Sequence, residues 1–268
     1  SALFVDLDND QDQDLVLALA AGKVLIQEND SAGRFTLRTT LETPDKNLHG
    51  LSAADFDNDG DLDLYVTDDF ASPSSGGQES AFVYHDANDG GANVLFRNDI
   101  PAVGCGAWVF TDITEEIGLG KNNRRHSLAA AWEDWDNDGD LDLYVANDYG
   151  QNCLYRNDVS QGLGFVDIGP AVGVVDFGSG MSVSWGDYNR DGRMDLYVGN
   201  MFSSAGNRII RQPMFKPGAE ESARRVYKRF VKGNSLFENE GGESFREVGA
   251  EEGVEIAGWA WSSVFADV

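Results

Sequence analysis

Five aspartates occupy every second position from Asp134 to Asp142 in the stretch DWDNDGDLDLYVAND (134–148). Two unit charges about 5 Å apart repel by about 3 kcal/mol at an effective dielectric of about 20. A loop that gathers five of them needs something to neutralise them. The stretch is also not alone. DLDNDQDQD (6–14), DFDNDGDLD (55–63), DWDNDGDLD (134–142) and DYNRDGRMD (187–195) share the frame D-x-[DN]-x-D-G-x-x-D, with Gln11 in the glycine position of the first. Hydrophobic residues make up 41% of the 268, enough for a real core, so the acidity does not imply a disordered chain.

The runs belong to a larger repeat. Each is followed by an aromatic-Asn motif: VLIQEND (24–30), VLFRND (94–99), CLYRND (153–158) and SLFENE (235–240). Each of these is followed by a Phe-containing segment: GRFTL (33–37), WVFTDI (108–113), GFVDI (164–168) and SFREV (244–248). Start-to-start distances are 49, 79, 53 and 80 residues, the last leading to Asp267 and Val268, where SSVFA precedes a fifth start. Insertions near 68–93 and 201–233 lengthen the second and fourth units. The units fall at about 1–50, 51–126, 127–179 and 180–258, with the start of a fifth at 259–268, all within one domain or domain fragment, 1–268.

Each unit predicts four short strands; in the third they span roughly 127–132, 141–146, 153–156 and 164–168. Leu141, Leu143 and Val145 alternate with Asp142 and Tyr144, the period of a strand. One small sheet cannot bury both faces alone, whereas sheets stacked around an axis bury them against neighbours. The expected fold class is therefore all-β, a β-propeller of four-stranded blades. The second insertion differs: eight of the 20 Lys and Arg residues lie in 207–233, and 219–232 predicts a helix with Val226, Tyr227, Phe230 and Val231 on its apolar side. A surface helix packed on acidic blades and a partner-docking element both fit it.

The run frame sets side-chain oxygens at positions 1, 3, 5 and 9, with a sharp turn at position 6 that Gly allows. The expected ligand oxygens are those of Asp6, Asp8, Asp10 and Asp14; Asp55, Asp57, Asp59 and Asp63; Asp134, Asp136, Asp138 and Asp142; and Asp187, Asn189, Asp191 and Asp195. Position 7 offers a backbone carbonyl, from Asp12, Asp61, Asp140 and Arg193. Hard oxygen donors with no His or Cys indicate Ca2+, at about four sites. An EF-hand loop would end in Glu between helices. Position 12 here is Leu17, Val66, Val145 or Val198, and the flanks are strand-like. Four divalent ions would move the formal charge from −26 to −18. Runs two and three are complete and are expected to bind most tightly. Gln11 departs from the first frame, and Arg190 and Arg193 crowd the fourth.

These motifs resemble the FG-GAP/VCBS repeats of calcium-binding β-propellers. WGDYNRDGRMDLYVGN (185–200), MFSSAGNRI (201–209), GNSLFENEGG (233–242) and WAWSSVFAD (259–267) resemble more closely the secreted family related to cartilage acidic protein, many bacterial members of which carry a C-terminal ASPIC/UnbV domain. The resemblance implies a seven- or eight-bladed ring with Ca2+ in the blade hairpins, bound at positions 1, 3, 5, 7 and 9 of each run. About four blades plus a stub are too few for that ring. The expectation is a fragment, or a ring completed by other blades or by another copy of the chain.

Three functional readings follow. The first is a secreted, periplasmic or cell-surface module that binds a protein or glycan ligand, with Ca2+ as structural cement. The second is a calcium-dependent polysaccharide-active enzyme, with His49, His85, His126, Tyr84 or Tyr227 as acid–base candidates and Arg124-Arg125-His126 as the most chemical-looking cluster. The third is a subunit of an extracellular assembly. No catalytic constellation is recognisable, so no catalytic residue is assigned. Strong acidity makes nucleic acid a poor partner, and no apolar run is long enough to span a membrane. Trp108, Trp132, Trp135, Trp185, Trp259 and Trp261 recur with the repeat and are expected mainly in the inter-blade core. Cys105 and Cys153 leave both a disulfide and two separate thiols open.

Overall fold

The computed structural model describes residues 1–70, 86–101, 107–258 and 260–266. Tyr84, His85, Cys105, Trp259, Asp267 and Val268 lie outside the described residues. Sixteen strands form four antiparallel four-stranded sheets, each in simple sequential order. The first holds β1 (Ala2–Val5), β2 (Asp14–Leu19), β3 (Lys23–Asn29) and β4 (Phe35–Glu42). The second holds β5 (Leu48–Ala54), β6 (Asp63–Asp68), β7 (Val94–Asn98) and β8 (Phe110–Asp112). The third holds β9 (Ser127–Glu133), β10 (Asp142–Asn147), β11 (Cys153–Asp158) and β12 (Gly164–Asp167). The fourth holds β13 (Gly180–Gly186), β14 (Asp195–Asn200), β15 (Ser235–Asn239) and β16 (Phe245–Glu247). The first strands β1, β5, β9 and β13 lie against one another in succession, as the inner strands of propeller blades do.

Hydrophobic cores form between the sheets. Val16, Ile26, Leu64 and Phe96 join the first two blades. Phe56, Leu95, Leu143 and Phe165 join the second and third. Trp135, Leu154, Leu196 and Phe237 join the third and fourth. This explains where the period-two pattern falls short. β6 and β10 are buried along their whole length, Tyr144 and Asp142 included, because a neighbouring blade covers each face. β2 and β3, in the first blade, keep the alternation over most of their length. Trp135 and Trp108 are buried and Trp132 and Trp185 pack on core clusters, whereas Trp261 is exposed.

The aromatic-Asn motif proves to be an inter-blade clamp. The Asn98 side chain donates to Leu7 O in the preceding blade (2.8 Å), Asn157 to Phe56 O (2.7 Å) and Asn239 to Trp135 O (3.1 Å). Each also donates within its own blade, to Leu62 O, Leu141 O or Met194 O. Asn29, the equivalent in the first blade, makes only the own-blade bond, to Gln13 O at 3.2 Å. Asn157→Ala is expected to cost about 1–3 kcal/mol, since it strands two carbonyls, one of them at a buried blade junction. Asn29→Ala should cost clearly less, because its amide is exposed and spans no junction. Equal losses in denaturant titrations at saturating calcium would contradict the clamp.

The basic insertion holds two helices where one was expected. α1 (Gly169–Val172) is a single turn in the third blade; α2 (Ser204–Ile210) and α3 (Glu221–Phe230) make up the insertion. The Ser203 hydroxyl caps α2 by accepting from Gly206 N, and α3 carries Glu221 in its first turn and Lys228 and Arg229 in its last, which suits the helix dipole. Arg229 reaches back to the buried Asp176 at 2.7 Å, and Asp176 also accepts from Ser235 Oγ and Asn200 Nδ2. Asn207 Nδ2 donates to Val231 O at 2.6 Å. Residues 260–266 run beside β13 without forming a strand, with Ser182 Oγ donating to Ala260 O.

Candidate metal centres

Each aspartate run is the hairpin bend between the first two strands of a blade. Its flanking pairs are Val5↔Asp14, Ala54↔Asp63, Glu133↔Asp142 and Gly186↔Asp195. Among the described residues no helix brackets a run. The position-1 carboxylate folds the bend by accepting backbone N–H groups. Asp55 takes those of Asp59 and Gly60 at 3.0 Å each, and Asp134 those of Asp138 (3.0 Å) and Gly139 (3.1 Å). Position 5 accepts from the N–H of position 7 in all four runs. Position 9 is buried and ties the bend to the sheet: Asp14 accepts from Leu7 N and Asn29 N, both at 3.0 Å. Asp63 and Asp195 repeat both bonds, and Asp142 repeats the second, from Asn157 N.

The bend passes twice through left-handed backbone. At position 6, φ is 75° at Gln11 and 84–96° at Gly60, Gly139 and Gly192, as the glycine frame implies. At position 4, φ is about 60° at Asn9, Asn58, Asn137 and Arg190. Asn is the non-glycine residue that most readily adopts this conformation, and the frame left that position unread. Gln11 takes the glycine conformation and the run still gathers its carboxylates.

Carboxylate oxygens converge in three runs. Ligand atoms of Asp6, Asp8 and Asp10, of Asp55, Asp57 and Asp63, and of Asp134, Asp136 and Asp138 lie within 4.8 Å of one another. Position 3 is the telling one. Asp8 Oδ1, Asp57 Oδ1 and Asp136 Oδ1 are buried with no hydrogen-bond partner, as is Asp142 Oδ2. A buried carboxylate oxygen without a partner is costly, and a cation would satisfy it. The fourth run differs. Asn189 Oδ1 accepts from Asp191 N, its Nδ2 donates to Glu238, and the Arg193 guanidinium pairs with Asp191. The residues of the first three runs therefore fit a hard divalent cation, whereas the fourth has neutralised part of its own charge.

Electrostatics agree. Burial, with neighbouring carboxylates adding to it, raises Asp8, Asp57 and Asp136 above the usual carboxylate range. Burial pushes the position-9 groups further despite their N–H bonds: Asp14 to about 6, Asp63 to about 7 and Asp142 to about 8. These shifts belong to the cation-free protein.

The bends are also joined to one another. Asn9 Nδ2 donates to Asp61 Oδ1 (2.6 Å) and Asn58 Nδ2 to Asp140 Oδ1 (3.0 Å), so position 4 of one run holds position 7 of the next. The position-7 side chains are thus engaged elsewhere: Asp12 Oδ2 and Asp140 Oδ2 also accept from Ser31 and Ser160. That agrees with a carbonyl-only role at position 7. Arg193 replaces the acceptor in the fourth run, and a cavity of about 510 Å3 lies between the third and fourth bends.

The other candidates go to ion pairs or packing. Arg124 pairs with buried Asp45 at 3.3 Å, and Arg125 with Asp86. Tyr227 stacks on Phe215 and lies under Lys216. Asp69 bridges two histidines, at 3.7 Å from exposed His49 and 3.1 Å from buried His126. His126 is also 3.2 Å from Asp89, between the Phe70 and Tyr149 rings. Burial opposes a charge on His126, but the bonds to Asp69 and Asp89 outweigh it and raise its pKa. A raised folded value means stability fully present below the unfolded pKa of about 6.5 and lost as pH rises through the folded one. The melting-temperature gap between wild type and His126→Asn should therefore be larger at pH 6 than at pH 9. Asn keeps the left-handed backbone accessible, so a gap that stays constant with pH would rule out the charged pair.

Four-stranded blades with an acidic bend between their first two strands define a class of repeat protein, and the chain carries FG-GAP-like repeats, matched over residues 6–66 and 134–198. Over 129 residues it is 32% identical to Cartilage acidic protein 1 of Xenopus tropicalis. That match covers 46% of this chain and 19% of the relative, so the aligned part spans about a fifth of that protein's length. Among the described residues no helix is long and apolar enough to cross a membrane. Cys153 is a buried free thiol whose pKa burial pushes up to about 12.

Proposed function

We propose that the chain is a calcium-bound, non-enzymatic propeller module that works outside the cytoplasm, secreted, periplasmic or on the cell surface. It holds a protein or glycan ligand on its loops. Calcium joins the first two strands of each blade and offsets the repulsion among 18 acidic residues gathered in four short runs. The carrying observation is the partnerless buried oxygen at position 3 in three separate hairpins. Ligands at each site are the side chains of positions 1, 3, 5 and 9 and the carbonyl of position 7. Support for a non-enzymatic role comes from the acid–base candidates His49 and His126 and from the neighbouring Arg124 and Arg125, all engaged by carboxylates among the described residues. Support for an extracellular setting comes from a partial relative whose name places it in cartilage.

Calorimetric titration of chelator-treated protein with Ca2+ tests this, with backbone amide shifts assigning each step. Runs two and three should fill first, run one next and run four last. Excess Mg2+ should not displace the ion, because it holds its waters too firmly for a crowded carboxylate cage. Absence of calcium uptake would refute the reading, and run four filling first would refute the ranking.

A further inference from the structure

We propose that the groove formed by α2, α3 and their linker docks a short acidic segment of a partner protein, in which carboxylates alternate with apolar side chains. The idea rests on the reading of the chain as a binding module and names one ligand surface on it. Residues 207–233 carry eight cations and two carboxylates, a net of +6 on a chain of −26. Six of those cations, Arg208, Arg211, Lys216, Arg224, Arg225 and Lys228, have no carboxylate partner among the described residues. Cations outside the insertion are mostly paired, as in Lys23–Glu42, Arg38–Glu28, Arg124–Asp45 and Arg246–Glu238. An acidic protein that leaves its unpaired cations together on one element keeps them for an external anion.

The cations converge on concave surface. One cavity of about 670 Å3 is lined by Arg208, Arg211 and Lys232, and one of about 300 Å3 by Arg211, Arg224 and Lys228. Arg211 lines both, so together they make one two-lobed groove. Its only carboxylates are Glu221 and Glu255, and Glu255 is held by Lys232 at 2.8 Å. The groove is pre-organised, because Arg229 on Asp176 pins α3 to the blades and Asn207 on Val231 ties α2 to the end of α3. A rigid site loses less on binding, and guanidinium forks suit carboxylates.

The apolar lining decides among anions. Ile256 (64% exposed) lines the larger lobe and Ile210 the smaller, while Ile209 (50%) and Met214 (79%) are exposed on the same insertion. Of the nearby aromatic rings, Phe215 is engaged with Tyr227, Tyr227 with Phe230 and Phe230 with Tyr149, and Phe202 in the larger lobe is half-buried. Aliphatic anchors beside arginines match an acidic peptide better than an acidic glycan. A long polyanion would extend beyond the groove onto acidic blades, whereas a short segment stays within about one screening length, about 8 Å, of the cations.

The test is fluorescence anisotropy in saturating calcium with a labelled Glu-Leu-Glu-Leu-Glu-Leu peptide, its Gln-Leu counterpart, an oligogalacturonate and a single-stranded DNA oligomer. The Glu peptide should bind best, weaken at least about tenfold between about 50 and about 500 mM salt, and weaken at least tenfold with R208E/R211E/K228E. Lys121→Glu, a cation outside the insertion, should leave binding unchanged. Circular dichroism and calcium uptake of the triple variant check that its blades are intact. Preference for the oligogalacturonate or the DNA would overturn the proposal, as would no binding by any probe. Peptide binding that survives the triple variant would also overturn it, while leaving the binding-module reading standing. Loss of calcium uptake in the wild-type chain would instead sink that earlier reading.

Discussion

Trp135→Ala is expected to destabilise the protein by about 3–5 kcal/mol and to lower its melting temperature by about 6–20 °C. Trp135 is position 2 of the third run, 2% exposed, with its ring 5.2 Å from that of Phe245 in the fourth blade. It sits in the core with Leu154, Leu196 and Val198, and its carbonyl accepts the Asn239 clamp. Truncation would open a cavity at the blade junction that backbone bonds on both sides keep from collapsing. Leu7 and Phe56, at position 2 of the first two runs, are equally buried under the following blade. The same position therefore belongs to both the acidic bend and the blade junction. Leu163→Ala is the control: that side chain is 69% exposed and should change stability by no more than about 0.5 kcal/mol. Denaturant titration of both variants at saturating calcium checks the contrast. If Trp135 were instead a sugar platform, its loss would alter ligand binding and leave stability intact.

What the chain spelled out locally, it spelled out well. Residues 127–168 announce four strands, and four strands lie there with ends shifted by a residue or two. The hairpin bend is equally legible, because one run of nine residues supplies the turn, the carboxylates and the first residue of the outgoing strand. What stayed hidden depends on residues far apart. Asn9 and Asn58 read as fillers between aspartates, yet their partners Asp61 and Asp140 lie 52 and 82 residues away. Asn157 reads as part of a strand motif, and its clamp acceptor Phe56 is 101 residues away. Tyr144 reads as the exposed side of an alternating strand, and only the next blade buries it. α2 is faint in the sequence, its signal being a Ser203 cap on a short, mixed segment with little periodicity. The Arg124-Arg125-His126 cluster is plain in sequence, but its partners lie 37 to 79 residues earlier, Asp45 in the first unit and Asp69, Asp86 and Asp89 in the insertion of the second.

Removing calcium should have the largest effect of all. An ion that binds only the folded state adds about 2.7 kcal/mol at a concentration of about 100 times its dissociation constant, so three filled bends contribute about 8 kcal/mol. For a chain of this length that corresponds to a fall in melting temperature of about 15–30 °C on transfer to excess chelator. The physical cause is on display in the bends. Position-1 and position-5 carboxylates have backbone N–H partners, but at position 3 the buried Oδ1 has no partner, and mutual repulsion is left without a counter-charge once the cation goes. Asp136→Asn should remove about one site's share of the calcium-dependent shift, and Asp57→Asn another, with some coupling between them because Asn58 ties the second bend to Asp140 of the third. Asn189→Asp should act in the opposite sense, supplying a carboxylate where Asn now stands and strengthening the fourth bend. Glu42→Gln, on an exposed ion pair with Lys23, should leave the calcium-dependent shift unchanged. A melting temperature that is the same in calcium and in chelator would mean that the acidic bends stand without a cation, and the proposed role of the metal as cement would fall with it.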